Sequence, residues 1–243
     1  MPNRPLYKKV KEQLTASLLQ REWPPGAMLP SEPQLAQRYH VGISTVRAAI
    51  KELTGANVLV RTQGKGTFVS RFENRPGIHR FFNLVRHSGS EEPTTRKLLS
   101  CERIKAPDDI AEALRLPRTH EGQIVFCLTT LLSLAQTPKY YSRIFLPATV
   151  FAGLKRSMVP DGGKSLYSIY QERFNVNVIK VVDRLRAVAA SAAVAKACHI
   201  KRGSPVLEVL RIAYSYNDVP VEVRERWIST TEHWYRIEQG YAG

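Results

Sequence analysis

The chain has 243 residues and 43% of them are hydrophobic, so two folded domains of unequal size fit better than a disordered chain. The formal net charge of +15 is typical of a protein that meets a polyanion, either nucleic acid or an acidic membrane surface. Charge interrupts every long apolar run before ~20 residues, which excludes a membrane-spanning helix, and we expect no secretory signal because residues 1–11 lack an apolar core.

Hydrophobic spacing predicts three helices and a hairpin at the start of the chain. Apolar residues recur every four positions over residues 6–20, as they do along one face of a helix. The other predicted elements are helices over residues 31–40 and 43–54 and short strands over residues 58–61 and 67–70. Positive charge is densest here, since residues 1–80 carry thirteen Lys and Arg against five acidic residues, which favours a basic DNA-binding module.

A polar segment over residues 71–80 predicts a linker between a first domain, residues 1–70, and a second domain, residues 81–243. Long strands outnumber helices in the second domain, which predicts an antiparallel sheet with helices on one side and an α+β protein overall. The predicted strands span residues 97–105, 123–134, 140–146, 176–185, 205–214 and 219–229. The predicted helices span residues 107–114, 164–172 and 191–198.

A series of short motifs runs through residues 5–70. They are Pro5-Leu6-Tyr7, Pro25-Gly26, Leu29-Pro30-Ser31-Glu32, Leu35-Ala36, Thr45-Val46-Arg47 and Gln63-Gly64-Lys65-Gly66-Thr67-Phe68-Val69. In this order and spacing they resemble the DNA-binding domain of the GntR family, a winged helix-turn-helix. The resemblance implies that the partner is double-stranded DNA, read by a homodimer on a pseudo-palindromic operator.

The helix over residues 43–54 is the predicted recognition helix. With Val46 and Ile50 on its buried side, Arg47 points outward, where its planar fork suits guanine O6 and N7. At the hairpin tip, glycines let the backbone approach a sugar-phosphate wall and Lys65 adds charge. The predicted DNA contacts are Ser31, Ser44, Thr45, Arg47, Arg61, Gln63, Gly64, Lys65 and Gly66. The alternatives are an ordinary solvated arginine at position 47 and a plain hairpin turn at the tip.

Three positions depart from the family pattern. Relatives usually carry Ser or Thr at position 42, Arg at 43, and Arg or Glu at 33, whereas this chain has Gly42, Ile43 and Pro33. Isoleucine can touch only apolar groups such as a thymine methyl. We therefore expect an operator preference unlike that of a typical member, and a modest salt dependence for each protomer.

A looser set of motifs runs through residues 81–243. They are Ala106-Pro107, Ile110-Ala111, Leu114, Leu116-Pro117, Arg143, Leu146-Pro147-Ala148, Ser165-Leu166-Tyr167, Pro205-Val206-Leu207, Arg211 and Pro220-Val221-Glu222. They resemble the UTRA ligand-binding domain of the HutC-like branch of the GntR family, which is similar in fold to chorismate lyase. The resemblance implies a domain that dimerises and binds a small, often anionic, metabolite.

Several polar residues of this domain suit such an effector. Arg143 can fork onto a carboxylate or phosphate, Glu222 can accept from a sugar or amine, and the Ser88-Gly89-Ser90 turn can cradle an anion. The predicted effector contacts are Arg143, Glu222, Arg86, Ser88, Ser90 and Tyr141. The alternatives are a solvated Arg143, a Glu222 paired with Arg224 or Arg226, and a Tyr141 that fills core instead of stacking on a planar ligand.

Two other functions stay open at this point. The chorismate-lyase-like fold allows an enzyme, although the six histidines show no metal-ligand spacing and no nucleophile motif or phosphate loop is present, so we expect no catalysis, metal or cofactor. An architectural DNA binder would not need so large a second domain. Because the three cysteines are odd in number and far apart, we expect reduced thiols and a cytoplasmic protein. The favoured interpretation is an effector-controlled transcription regulator, and we expect a repressor that its effector releases from DNA.

Overall fold

The structure is a computed structural model. It describes residues 5–71, 84–86, 94–134, 137–162 and 165–236. The chain divides into two units, Met1–His79 and Arg80–Gly243. The predicted linker, residues 71–80, lies outside the described residues except for Arg71. Within the described ranges no helix combines the length and the apolar character that a membrane crossing requires.

Three helices and a hairpin form the first unit, in the predicted order. They are α1 (Leu6–Leu19), α2 (Glu32–Tyr39), α3 (Ile43–Gly55), β1 (Leu59–Thr62) and β2 (Gly66–Val69). Both α1 and α2 pack against α3, and the fully buried Leu14, Leu35 and Leu53 come from the three apolar stripes. His40 ends α2 in the left-handed conformation, with φ of 52°, so the chain turns sharply before α3 begins.

Residues 26–29 run beside β2 and widen the hairpin. The Gly26 amide donates to the Val69 carbonyl at 2.8 Å, and the Leu29 amide donates to the Thr67 carbonyl at 2.8 Å. The wing therefore has backbone hydrogen bonds on both sides of β2, which holds the hairpin against the helices.

A six-stranded antiparallel sheet dominates the second unit. The described strands of the whole unit, two of which lie outside this sheet, are β3 (Leu84–Arg86), β4 (Thr94–Lys105), β5 (Ile124–Leu134), β6 (Thr137–Pro147), β7 (Lys180–Ala189), β8 (Pro205–Tyr214), β9 (Pro220–Ile228) and β10 (His233–Tyr235). The helices are α4 (Asp108–Ala113), α5 (Leu166–Phe174) and α6 (Ala192–Cys198). The strand order in the sheet is β4-β5-β6-β9-β8-β7, and β3 pairs with β10 in a separate two-stranded sheet.

The helices cover both faces of the sheet, so the expectation that they lie on one side was wrong. The α4 helix shares a buried cluster with Cys127 and Phe145, and α6 shares one with Val206 that Tyr141 and Trp227 join. Cys127, Phe145, Tyr141 and Trp227 all point to one face in the strand register, here called the α4/α6 face. The α5 helix instead contacts Glu222, which points to the opposite face, here called the α5 face.

Three strands differ most from the prediction, while β4 and β6 each begin three residues earlier than predicted. We predicted residues 176–185 for the strand that is observed as β7, because the local apolar pattern begins early. Its true extent follows from pairing with all ten residues of β8, which no local pattern encodes. The short strands β3 and β10 were not predicted, since three residues carry too little alternation to be recognised.

Candidate nucleic-acid interface and effector site

The recognition helix α3 presents its polar side outward. Val46, Ala49, Ile50 and Leu53 are buried against the other helices, while Ser44 and Arg47 are exposed and Thr45 is half-buried. The side chain of Arg47 is 62% exposed. The exposed residues therefore occupy the side of α3 that can reach a DNA groove.

The start of α3 reflects the departures noted above. Gly42 is its N-cap in an extended conformation and makes no side-chain cap hydrogen bond, as expected of glycine. Ile43 follows it and is 42% exposed. A large apolar side chain thus stands at the first turn of the recognition helix, where base edges are read.

The wing tip is exposed from Arg61 to Gly66. Gly64 and Gly66 both have positive φ, 73° and 120°, and the Lys65 amide donates to the Thr62 carbonyl at 3.0 Å to close the turn. A Cβ at Gly64 would meet nothing within 4 Å, so this glycine is required by its conformation and not by crowding. Gln63 and Lys65 project from the same tip.

One carboxylate joins the recognition helix to the wing. Glu32 Oε2 accepts from Arg47 Nε at 2.9 Å, and Glu32 Oε1 accepts from Arg61 Nη2 at 2.5 Å. The Glu32 side chain is 13% exposed, whereas those of Arg47 and Arg61 are 62% and 57% exposed. Sequence reasoning named Glu32 only as part of the Leu29-Pro30-Ser31-Glu32 motif and assigned it no contact with Arg47 or Arg61.

Ser31 is engaged in a capping box. Its hydroxyl accepts from the Gln34 amide at 3.5 Å and donates to Gln34 Oε1 at 2.8 Å, while its own amide donates to Gln34 Oε1 at 2.9 Å. Pro33 has no N–H, and Glu32 places negative charge at the same helix start. These features disfavour a phosphate at this terminus compared with the wing and α3.

Arg143 and Glu222 lie on opposite faces of the sheet. Arg143 pairs in register with Glu225, and its guanidinium donates to that carboxylate at 2.8 and 2.6 Å on the α4/α6 face. The Arg143 guanidinium also lies 5.6 Å from the centroid of the Trp227 ring. The ring centroids of Trp227 and Tyr141 are 5.9 Å apart. A single small ligand therefore cannot touch Arg143 and Glu222 together.

Glu222 is fully buried on the α5 face with three donors around it. Tyr167 Oη donates to Oε1 at 3.1 Å, Tyr170 Oη donates to Oε2 at 2.6 Å, and Arg224 Nη2 donates to Oε2 at 2.9 Å. Burial, with Glu222 adding to it, raises the pKa of Tyr167 to about 12 and raises that of Tyr170 well above its ordinary value. Both tyrosines thus act as donors, and the predicted pairing of Glu222 with Arg224 is observed.

Buried arginines cluster beside Glu222 on the α5 face. Arg211 and Arg224 are register partners, and Arg226 lies two residues along β9 from Arg224. Arg211 forms a bidentate pair with Asp183 at 2.7 and 2.6 Å. Sequence reasoning missed this cluster, although arginines at alternate positions of a predicted strand must share a face.

Arg226 differs from its neighbours because no carboxylate pairs with it among the described residues. It is 5% exposed, its guanidinium lies 5.3 Å from the centroid of the Tyr140 ring, and its Nη1 has no hydrogen-bond acceptor in the described part of the chain. Burial, together with the charges of Arg211 and Arg224, lowers the pKa of Arg226 to about 10. Three guanidinium groups thus face the two carboxylates of Glu222 and Asp183.

The remaining effector candidates precede the sheet. Arg86 ends β3 and pairs in register with His233 of β10, while Ser88 and Ser90 lie outside the described residues.

Comparison with known proteins divides the chain in the same way. The family described as bacterial regulatory proteins, gntR family, matches residues 6–69, and the UTRA domain matches residues 90–233. A relative from Escherichia coli O157:H7, named a probable fructoselysine utilization operon transcriptional repressor, is 30% identical over 221 residues, which cover 90% of this chain and 88% of the relative. The histidine utilization repressor of Pseudomonas aeruginosa is 25% identical over 228 residues, which cover 87% and 82%.

Solved structures agree with the fold class predicted from sequence. The ligand-binding domain of a protein described as a GntR-family transcriptional regulator from Bordetella bronchiseptica is 33% identical with a TM-score of 0.62, covering 66% of this chain and 98% of that one. PhnF from Mycobacterium smegmatis covers 92% of this chain and 95% of its own with a TM-score of 0.53, and at 22% identity it shows the shared fold alone.

Proposed function

The chain belongs to the GntR family of bacterial regulatory proteins, as a DNA-binding transcription repressor of the HutC-like branch with a UTRA domain, and on this premise we propose that a small anionic metabolite bound in that domain releases it from its operator. The repressor acts as a homodimer on a pseudo-palindromic site, with recognition helices in successive major grooves. It works in the cytoplasm, where its operator DNA is.

The DNA contacts we propose centre on α3 and the wing. The exposure of Arg47 supports its role as the base reader, and Ser44 and Thr45 flank it on the same helix. Arg61 and Lys65, with the other exposed wing-tip residues Gln63, Gly64 and Gly66, are the proposed contacts to the backbone beside the groove. Ser31 is the weakest member of the set, since its hydroxyl already caps α2.

The proposed effector site is the α5 face around Glu222 and Arg226, and the observation that carries it is that no carboxylate of the described residues pairs with Arg226. A buried cation without a counterion costs several kcal/mol, and a bound anion removes that cost while accepting from the guanidinium. Carboxylate and phosphate both meet this requirement. We do not include Arg143 and Tyr141 in the proposed site, because they point to the α4/α6 face, where Arg143 already forms an ion pair with Glu225.

The connections between strands suggest how a ligand bound on the α5 face affects the linker. Glu222, Arg224 and Arg226 all lie on β9, and β10 follows β9 directly along the chain. β10 in turn pairs with β3, the first described strand after the linker. A ligand that pulls on β9 thus displaces the strand next to the linker, and by linkage it must bind the DNA complex less tightly than the free protein.

The alternative functions have less support. The relatives that share both domains with this chain are named transcriptional regulators, which disfavours an enzyme built on the second domain. An architectural DNA binder without a ligand leaves the charge imbalance around Arg226 unexplained.

Thermal unfolding of the full chain against organic acids, amino-acid breakdown products and phosphosugars tests the proposal. A true effector raises the stability of the native chain, by about 2.7 kcal/mol at a hundredfold excess over Kd, and lowers its affinity for operator DNA. Arg226→Met should lose this response, whereas Arg143→Ala, an arginine of the opposite face, should keep it. An anion that protects the native chain and Arg226→Met equally would place the effector elsewhere.

A further inference from the structure

The carboxylate of Glu32 lies between two arginines of the proposed DNA-contacting surface. Each of its two oxygens holds a different arginine, Arg47 from the recognition helix at 2.9 Å and Arg61 from the wing at 2.5 Å. Both arginines belong to the proposed DNA contacts, and they come from elements that approach different parts of the duplex. One acidic side chain thus links the base-reading part of the head to the backbone-contacting part.

The three linked side chains differ in their exposure to solvent. The Glu32 side chain is 13% exposed, whereas the side chains of Arg47 and Arg61 are 62% and 57% exposed. Arg47 contacts the Glu32 carboxylate through Nε and Nη2, and Arg61 contacts it through Nη2. Since each guanidinium carries five N–H donors, both keep outward donors for DNA.

We propose that Glu32 is the positioning residue that sets how selectively this repressor reads DNA, by holding Arg47 and Arg61 in fixed directions and partly neutralising them. A long arginine side chain loses rotamer freedom when it binds, and an arginine that is already held loses less. The fixed direction favours a base edge at a matching position. The neutralised charge reduces attraction to phosphate, which every DNA sequence offers equally.

Among the described residues, the other ion pairs of the head do not link two of the proposed DNA contacts. Glu22 pairs with Arg38, and Glu52 pairs with Lys11, so each joins one acid to one cation outside the proposed contact set. Glu52 lies on α3 itself, the same helix as Arg47. It therefore provides a matched control, because neutralising it changes the charge of the recognition helix without releasing Arg47 or Arg61.

The test compares Glu32→Gln with Glu52→Gln and the native chain. The operator is first recovered by selecting bound duplexes from a random pool with the native protein. Dissociation constants for that operator and for an unrelated duplex are then measured over a range of salt concentrations. Gln suits the first turn of a helix, and thermal unfolding checks that each variant is folded.

For Glu32→Gln we expect the ratio of operator to unrelated affinity to fall at least about tenfold, because released arginines bind phosphate indiscriminately. The salt slope on unrelated DNA should steepen by about 1–2, as expected for one or two added phosphate contacts. For Glu52→Gln the ratio should stay within about twofold of native, although both affinities rise.

A double substitution separates positioning from a structural effect. When Arg47 and Arg61 are both replaced by Ala, adding Glu32→Gln should no longer change the affinity ratio, because Glu32 then has neither arginine to hold. The proposal is overturned if Glu32→Gln leaves the ratio at the native value, or if it lowers the ratio equally in the chain without these arginines.

Discussion

Arg224 and Arg226 project from alternate positions of β9 onto the same face of the sheet, yet among the described residues a carboxylate pairs with Arg224, that of Glu222 at 2.9 Å, and none pairs with Arg226. Arg226 is 5% exposed and the side chain of Arg224 is 13% exposed. Arg224 therefore forms a structural ion pair with Glu222, whereas Arg226 is a buried charge that a bound anion stabilises.

This difference predicts opposite effects for two matched substitutions. Arg226→Met removes an uncompensated buried cation, so the free energy of unfolding without effector should rise by about 1 kcal/mol or more. Arg211→Met leaves Asp183 without its bidentate partner and should lower that free energy by about 3 kcal/mol. Urea unfolding of both variants provides the comparison, and a loss of stability in Arg226→Met would show that this cation has a partner after all.

The pKa of Tyr167 predicts an alkaline instability. Burial and Glu222 hold its folded pKa at about 12, above the ordinary 10, so only the unfolded chain releases this proton as pH rises through that window. Native stability should therefore fall by on the order of 2 kcal/mol between about pH 10 and 12 from this group.

Tyr167→Phe isolates the effect. Below pH 10 the variant should be less stable than the native chain by about 1 kcal/mol, because it loses the hydrogen bond to Glu222. That gap should close near about pH 11 and reverse in sign by about pH 12, because only the native chain loses stability over this range. Tyr141→Phe, on the other face, serves as the control, and a gap that is constant with pH would contradict the assignment.

Arg47→Ala tests the recognition helix. We expect specific operator binding to weaken by about 1–3 kcal/mol, because a guanidinium fork on a base edge is lost. Lys51→Ala removes one positive charge from the same helix and should weaken operator and unrelated DNA about equally. Titration of labelled duplexes measures both, and an unchanged operator affinity for Arg47→Ala would remove Arg47 from the proposed contacts.

Gly26→Ala tests the junction between the head and the linker. Gly26 has φ of +83°, and a Cβ there would lie 2.2 Å from Nε of Arg71, the first residue of the predicted linker. The substitution should lower the free energy of unfolding by at least about 1 kcal/mol through backbone strain, and it should displace Arg71. Gly55→Ala is the control, since a Cβ at Gly55 meets nothing within 4 Å. Equal stability of the two variants would contradict the expectation.

The organisation of the reading head followed from the sequence because its signals are local. Apolar stripes four residues apart, the cap at Ser31 and the glycines of the wing tip each act within a few neighbours, so the helices and hairpin were predicted within one or two residues. The outward position of Arg47 follows from Val46 and Ile50 on one helix in the same way.

The arrangement of the second unit depended on contacts that no local pattern encodes. That Arg143 and Glu222 face opposite ways is set by the register between strands far apart in the chain, where a shift of one residue reverses every side chain. The sharing of Glu32 between Arg47 and Arg61 likewise requires α2, α3 and the wing to be packed together. The sequence by itself thus determined the family and most of the elements, whereas tertiary structure decided which side chains meet, because side-chain proximity depends on long-range pairing.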